Sequence, residues 1–197
     1  MTKSKISFPN QKGQSQEFII EDYDDHIVLC AYCTDNIEDV DIPGTINNKP
    51  VTQIGDGCFM LHKEIVNVSF PDTLESIGVQ AFALCSKIQE LLLSDNIHEI
   101  YEMAFRDCKG LKRIVLPVGL RVLKTGVFCF TYLPDDVEII LNDGLEEIQA
   151  GVFSSGGLNQ YFTLKIPDSV KTIAPGAFDP GMKIITSLPI DDAWFSK

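Results

Sequence analysis

The sequence predicts an α/β repeat solenoid, rich in β-strand and turned by short helical segments. Three observations carry this prediction. Phenylalanine recurs at Phe59, Phe82, Phe105, Phe128, Phe153 and Phe178, in steps of 23, 23, 23, 25 and 25 residues. An isoleucine or leucine stands five residues before each one: Ile54, Ile77, Ile100, Leu123, Ile148 and Ile173. Between them a short β-favouring run returns, as in Ile65, Val68 and Phe70 before Pro71, or Leu111, Ile114 and Leu116 before Pro117. Self-similarity at this period marks stacked units that cannot bury their apolar faces alone.

Composition bounds the partners. The chain has 197 residues, with 16 Lys and Arg against 28 Asp and Glu, a formal net charge of −12. Phosphates would repel such a chain, so attraction to nucleic acid or anionic lipid is not expected. The charge favours a basic partner, or solubility alone. No run approaches the ~18 apolar residues of a membrane span. The lysines of residues 1–16 have no apolar segment behind them, so no signal peptide is read there. As written, the chain is expected in the cytoplasm. Removal of a signal would instead place it at the cell surface or outside the cell.

In chain order, polar residues 1–16 read as a flexible leader. Residues 17–36 read as an N-terminal β-hairpin cap, with Phe18-Ile19-Ile20 and Ile27 to Cys33 joined by an acidic turn. The repeat array follows over residues 37–186. Its first strand carries Ile37, Val40 and Ile42 and stops at Pro43, which lacks a ladder donor. Before each repeat phenylalanine stands a small or β-branched residue: Cys58, Ala81, Ala104, Val127, Val152 or Ala177. This dipeptide is predicted on a short helical turn, its Phe pointing inward and stacking into a ladder. The two longer repeats should bulge near 131–136 and 154–160. Residues 187–197 read as a C-terminal cap or a truncated continuation, with Trp194 covering the last rung.

Six cysteines are present. Cys85 and Cys108 each follow a repeat Phe by three residues, and Cys58 and Cys129 stand beside one. These four read as small buried hydrophobes. Cys30-Ala31-Tyr32-Cys33 has the CxxC spacing of redox and zinc sites. No second CxxC or paired histidine follows, so this stays an alternative: a metal- or redox-active protein at Cys30 and Cys33.

Leu74-Glu75-Ser76-Ile77-Gly78, Ala81-Phe82, Cys85, Ile88 and Leu91-Leu92-Leu93 resemble the BspA-like class of leucine-rich repeats. Ile97, Ile100, Ala104-Phe105, Cys108, Leu111, Ile114 and Leu116-Pro117 match it again. The lead-in from Val40 to Pro43 and from Val51 to Gly55 is similar too, so the resemblance spans 37 to about 186. Ser94 and Asn142 stand where the pattern has Pro. The resemblance implies a curved, right-handed leucine-rich-repeat superhelix with a strand-lined face and no shared catalytic residues. It also implies relatives that are mostly surface or secreted bacterial and protist proteins, many of them binding other proteins.

No catalytic constellation stands out. There is no phosphate-binding G-x-x-x-x-G-K-[ST] and no G-x-S-x-G elbow. His26, His62 and His98 occupy non-equivalent positions. The adjacent acid pairs, such as Glu146-Glu147, face opposite ways on a strand. Asp22-x-Asp24 lacks the Gly and final Glu of a calcium loop. The chain is read as non-enzymatic, with no catalytic residue, cofactor or metal.

What remains is a face. Residues between the core positions of each strand point outward. Those assigned to protein binding are Asp39, Asp41, Asn67, Glu90, Leu92, Arg113, Val115, Glu138, Ile140 and Lys165. With strands ~4.8 Å apart, six rungs span roughly 24 Å. The expected partner is another protein, not nucleic acid or membrane. A cytoplasmic immunity or antitoxin protein, its acidic loops covering a basic toxin, is the alternative within this class.

Overall fold

A computed structural model describes residues 2–156 and 161–196. The chain opens with β1 (Thr2–Pro9), β2 (Ser15–Asp22) and β3 (Ile27–Tyr32). Then come β4 (Asp39–Asp41), β5 (Thr45–Ile46) and β6 (Lys49–Ile54). After these, each turn of the chain carries two short strands. They are β7 (Asn67–Ser69) and β8 (Ser76–Ile77), β9 (Glu90–Leu92) and β10 (Glu99–Ile100), β11 (Arg113–Val115) and β12 (Val122–Leu123). The series continues with β13 (Glu138–Ile140) and β14 (Glu147–Ile148), β15 (Thr163–Lys165) and β16 (Thr172–Ile173), and β17 (Lys183–Ile185).

Along the two faces of the array, paired strands run in parallel one turn apart, as a solenoid requires, with breaks in each ladder. The first face is built from β4–β7, β9–β11–β13 and β15–β17. The second face runs β3–β6–β8–β10 and then β12–β14–β16. Along the first face the middle residue of each strand points inward: Val40, Leu91, Ile114 and Leu164 are all buried.

The third side is a corner rather than a helix. Each Phe N–H donates to a carbonyl one turn ahead. Phe59 bonds Ala81 (2.7 Å), Phe82 bonds Ala104 (2.8 Å), and Phe105 bonds Val127 (3.0 Å). Phe128 bonds Val152, Phe153 bonds Ala177 and Phe178 bonds Trp194, each at 3.0 Å. Left-handed residues bracket the corner: Gln80 and Leu84 around Phe82, Met103 and Asp107 around Phe105. A right-handed helix cannot run through such residues. Their amides turn instead toward the neighbouring turn. The predicted helical turns are therefore absent among the described residues, where the one helical segment is the 3-10 turn Asp192–Trp194. The fold is a β-solenoid of about six turns, not an α/β one.

The phenylalanines stack inside this corner as expected. Their centroids lie 4.7, 5.4, 5.7 and 5.4 Å apart from Phe59 to Phe153, with planes within 12° of parallel. The stack also extends at both ends. Phe18 packs edge-on against Phe59 at 5.9 Å, and Phe195 tilts against Phe178 at 6.2 Å. Trp194 is buried beside it.

Residues 2–16 are not a flexible leader. β1 pairs antiparallel with β2 along its whole length, from Thr2↔Asp22 to Pro9↔Ser15. Phe8 stacks on Phe18 at 5.2 Å, while Lys3 and Lys5 reach across to Glu21 (3.2 Å) and Glu17 (2.7 Å). The hairpin expected over 17–36 is not a separate cap either. β2 pairs with β3 antiparallel, and β3 pairs with β6 in parallel, so β3 is the first strand of the second face.

The longer fourth repeat only half bulges. Thr131 and Leu133 turn inward and are buried, while Tyr132, Asp135 and Asp136 stay exposed. The Thr131 hydroxyl donates to the Phe128 carbonyl at 2.7 Å. In the fifth repeat Ser155 is buried, its N–H donating to Asp179 Oδ2 at 2.8 Å. Residues 157–160 of the expected bulge lie outside those described.

Candidate functional site

The middle of the first face presents two rows of side chains. Parallel pairing without slip sets Glu90, Arg113 and Glu138 beside one another, and Leu92, Val115 and Ile140 likewise. The alternation of the strand separates the rows, since residues two apart share a side. Arg113 stands between two glutamates and donates from Nε to Glu138 Oε2 at 2.7 Å. In the apolar row Leu92 is 50% exposed and Ile140 43%.

The face changes character after β13. Among the described residues no hydrogen bond joins β13 to β15, although β15 carries on the same series of outward strands. A groove of about 580 Å³ opens there, lined by Val115, Val118, Ile140, Asp143 and Lys165. Val118 is 62% exposed beside it. Lys165 thus stands across the break from Ile140 rather than on one continuous sheet with it.

At the other end, Asp39 and Asp41 are already engaged. The β1–β2 turn folds over β4. Lys12 pairs with the Asp39 carboxylate, and Asn67 Nδ2 donates to its Oδ1 at 2.7 Å. These two hydrogen bonds, Lys12 first, hold the Asp39 carboxyl below the usual carboxylate range. Gln11 donates to Asp41 from its backbone and side-chain nitrogens. Gln16, fully buried, bonds both backbone groups of Asp41, at 3.1 and 3.0 Å. Asp39 and Asp41 therefore serve as attachment points for the N-terminal hairpin, and Asn67 buttresses Asp39 from β7.

The ten residues picked from sequence thus fall into three groups. Glu90, Leu92, Arg113, Val115, Glu138 and Ile140 come together on one regular sheet. Asp39, Asp41 and Asn67 are drawn into internal contacts. Lys165 rims the groove. Ile185, 47% exposed on β17, was missed. Its signal was the run Lys183-Ile184-Ile185, which repeats the outward-inward-outward pattern of the earlier strands.

The cysteines do not assemble a site. All six are free thiols. Cys33 is exposed and Cys30 partly buried, and burial raises the Cys30 thiol. Among the described residues the one group of His, Cys or acid side chains able to surround a metal is Asp35, His62 and Glu64, and it contains no cysteine. Cys85 and Cys108 are buried, each S–H donating to the Phe carbonyl one turn back, Phe59 at 3.0 Å and Phe82 at 3.1 Å. No helix among the described residues is long and apolar enough to cross a membrane.

A family model described as a BspA type leucine-rich repeat region matches in six copies, over residues 25–157 and 52–185. The chain belongs to the BspA-type leucine-rich repeat family. Among solved structures, this BspA-type chain is similar to a leucine-rich repeat protein of T. pallidum. The two are 26% identical with a TM-score of 0.75, over 86% of this chain and 80% of that one. It shares its fold with a leucine-rich cell surface protein of Faecalibacterium prausnitzii. That pair is 23% identical with a TM-score of 0.61, over 95% of this chain and 57% of that one. No curated protein matched the sequence.

Proposed function

We propose that this BspA-type chain is a non-enzymatic binding module and that the β9–β11–β13 surface docks another protein. The observation that carries this reading is the apolar row Leu92–Val115–Ile140 in register beside the charged row Glu90–Arg113–Glu138. An apolar strip supplies area to exclude water, and flanking charge fixes orientation and rejects wrong partners. Both rows sit on paired strands, so the backbone that presents them is already ordered before contact. Val118 and Lys165 extend the surface into the adjoining groove. The net charge of −12 favours a partner with a basic contact surface. Asp39 and Asp41 drop out of the contact, since the hairpin holds them.

The test is a triple variant, Leu92→Ser, Val115→Ser and Ile140→Ser, compared with Val122→Ser on the second face. Each protein is immobilised and exposed to lysate of the native host, and retained proteins are identified by mass spectrometry. A protein held by wild type and by Val122→Ser, but lost from a triple variant with an unchanged circular dichroism spectrum, supports the reading. Retention by the triple variant moves the binding surface elsewhere.

A further inference from the structure

We propose that Asp35, His62 and Glu64 bind a divalent transition-metal cation of the zinc class. The three side chains meet where the chain leaves β3 and where it leaves the Phe59 corner. One ligand atom from each, two carboxylate oxygens and a ring nitrogen, lies within 4.8 Å of the other two. A zinc ion about 2.0–2.2 Å from tetrahedral donors needs them roughly 3.4 Å apart. Asp35 is exposed, which leaves its side chain room to turn toward the other two.

His62 is held in an orientation that suits a metal ligand. Its Nε2 lies 3.2 Å from the Tyr32 carbonyl oxygen, and its Nδ1 lies 2.9 Å from Glu64 Oε1. Both neighbours are acceptors, and a neutral imidazole has only one N–H. With that N–H on the Tyr32 carbonyl, the Nδ1 lone pair faces the Glu64 carboxylate. In that tautomer a cation held between the two atoms satisfies both, whereas the other tautomer would donate from Nδ1 to Glu64. The N–H···O=C arrangement is the one that orients metal-ligating histidines. The second carboxylate, Asp35, brings more negative charge than one proton offsets.

Tyr32 supplies an independent observation. The residue is only 4% exposed, and its hydroxyl has no hydrogen-bond partner. Its ring meets the His62 ring edge-on at 5.0 Å. Three protein ligands leave a fourth position for water, and that water would give the phenol the partner it lacks. One imidazole with two carboxylates suits zinc or manganese better than calcium, which takes six to eight oxygens.

The experiment uses the full chain carrying Cys30→Ser and Cys33→Ser, so that no accessible thiol competes. After chelator dialysis, zinc chloride is titrated in by calorimetry, and thermal melts are recorded with and without it. One zinc per chain and a raised melting temperature are expected. Asp35→Asn, on an exposed side chain, and His62→Gln should each weaken binding at least tenfold and abolish the thermal shift. The proposal is overturned if the parent takes up no zinc, which would leave an imidazolium–Glu64 ion pair. It is equally overturned if both variants bind zinc as tightly as the parent, or if removing the two cysteines alone abolishes uptake.

Discussion

The Phe59 ring lies flat on the Phe82 ring, with centroids 4.7 Å apart and planes 6° from parallel. The same contact repeats through Phe153 and then loosens to 6.5 Å and 25° at Phe178. The loosening falls at the second of the two 25-residue steps only, since Phe128 and Phe153 still stack at 5.4 Å and 11°.

Truncating the centre of this stack removes contacts on both sides at once. Phe105→Ala is expected to cost about 3–5 kcal/mol, because the ring is fully buried between two others. Phe195→Ala, at a partly buried end, is expected to cost less. Urea denaturation midpoints compare the two. An unchanged midpoint for Phe105→Ala would refute the stacked-Phe core.

The N-terminal hairpin is expected to be part of the stable unit. Gln16→Ala leaves the Asp41 N–H and carbonyl without their side-chain partners and should cost about 1–3 kcal/mol. Limited proteolysis should then cut residues 10–16 sooner than in wild type. Equal cleavage rates would show that the hairpin is not fastened through Gln16.

Two glycines separate strain from crowding. Gly126 and Gly151 both have left-handed φ, +65° and +68°. A Cβ at Gly151 meets nothing within 4 Å, so Gly151→Ala should cost only the backbone strain of about 1–2 kcal/mol. At Gly126 it would lie 3.2 Å from Cys129 Sγ and 3.3 Å from Met103 Cγ. Gly126→Ala should therefore lower the melting temperature further. Equal losses would mean that the neighbours give way freely.

The buried thiols predict an alkaline limit. Burial pushes Cys85 up to about 12 and Cys108 well above its ordinary range. Unfolded thiols titrate near about 8.5. As pH rises the unfolded chain loses these protons first, so stability present below about 8.5 is lost progressively toward 12. Denaturation midpoints between pH 8 and 10 should fall, and more shallowly in a Cys85→Ala, Cys108→Ala double variant. Iodoacetamide on the folded protein should label Cys33 and leave Cys85 and Cys108 intact. Prompt labelling of either would contradict their burial.

The repeat was legible because stacking forces like residues onto like positions. Once Phe recurs in steps of 23, the inward isoleucines and the outward rows follow from strand alternation. The corner was not legible as a turn of left-handed residues. Gln80, Met103 and Leu84 have no preference for that conformation, and only the amide bonds to the next turn impose it. The dipeptide before each Phe therefore looked helical. β1 was hidden by composition, since Lys3, Ser4, Lys5 and Ser7 are polar. Its alternation of Ile6 and Phe8 against the lysines, followed by Gly13 in a turn, was the available signal. The engagement of Asp39 and Asp41 followed from that oversight, because their partners Lys12, Gln11 and Gln16 come from the stretch read as loose. The groove beside Ile140 depends on where a ladder fails, which spacing alone does not encode.

The interruptions in the ladders are staggered like joints in brickwork. On the first face they fall between β7 and β9 and between β13 and β15; on the second, between β10 and β12. At each level where one face is unlaced, the other face is paired and the Phe corner carries its amide bonds straight across. No two of the three gaps fall at the same level. Tension applied between the two ends would meet a closed course at every level. A short array of this construction resists splitting into independent halves and transmits load along its corner as one rod.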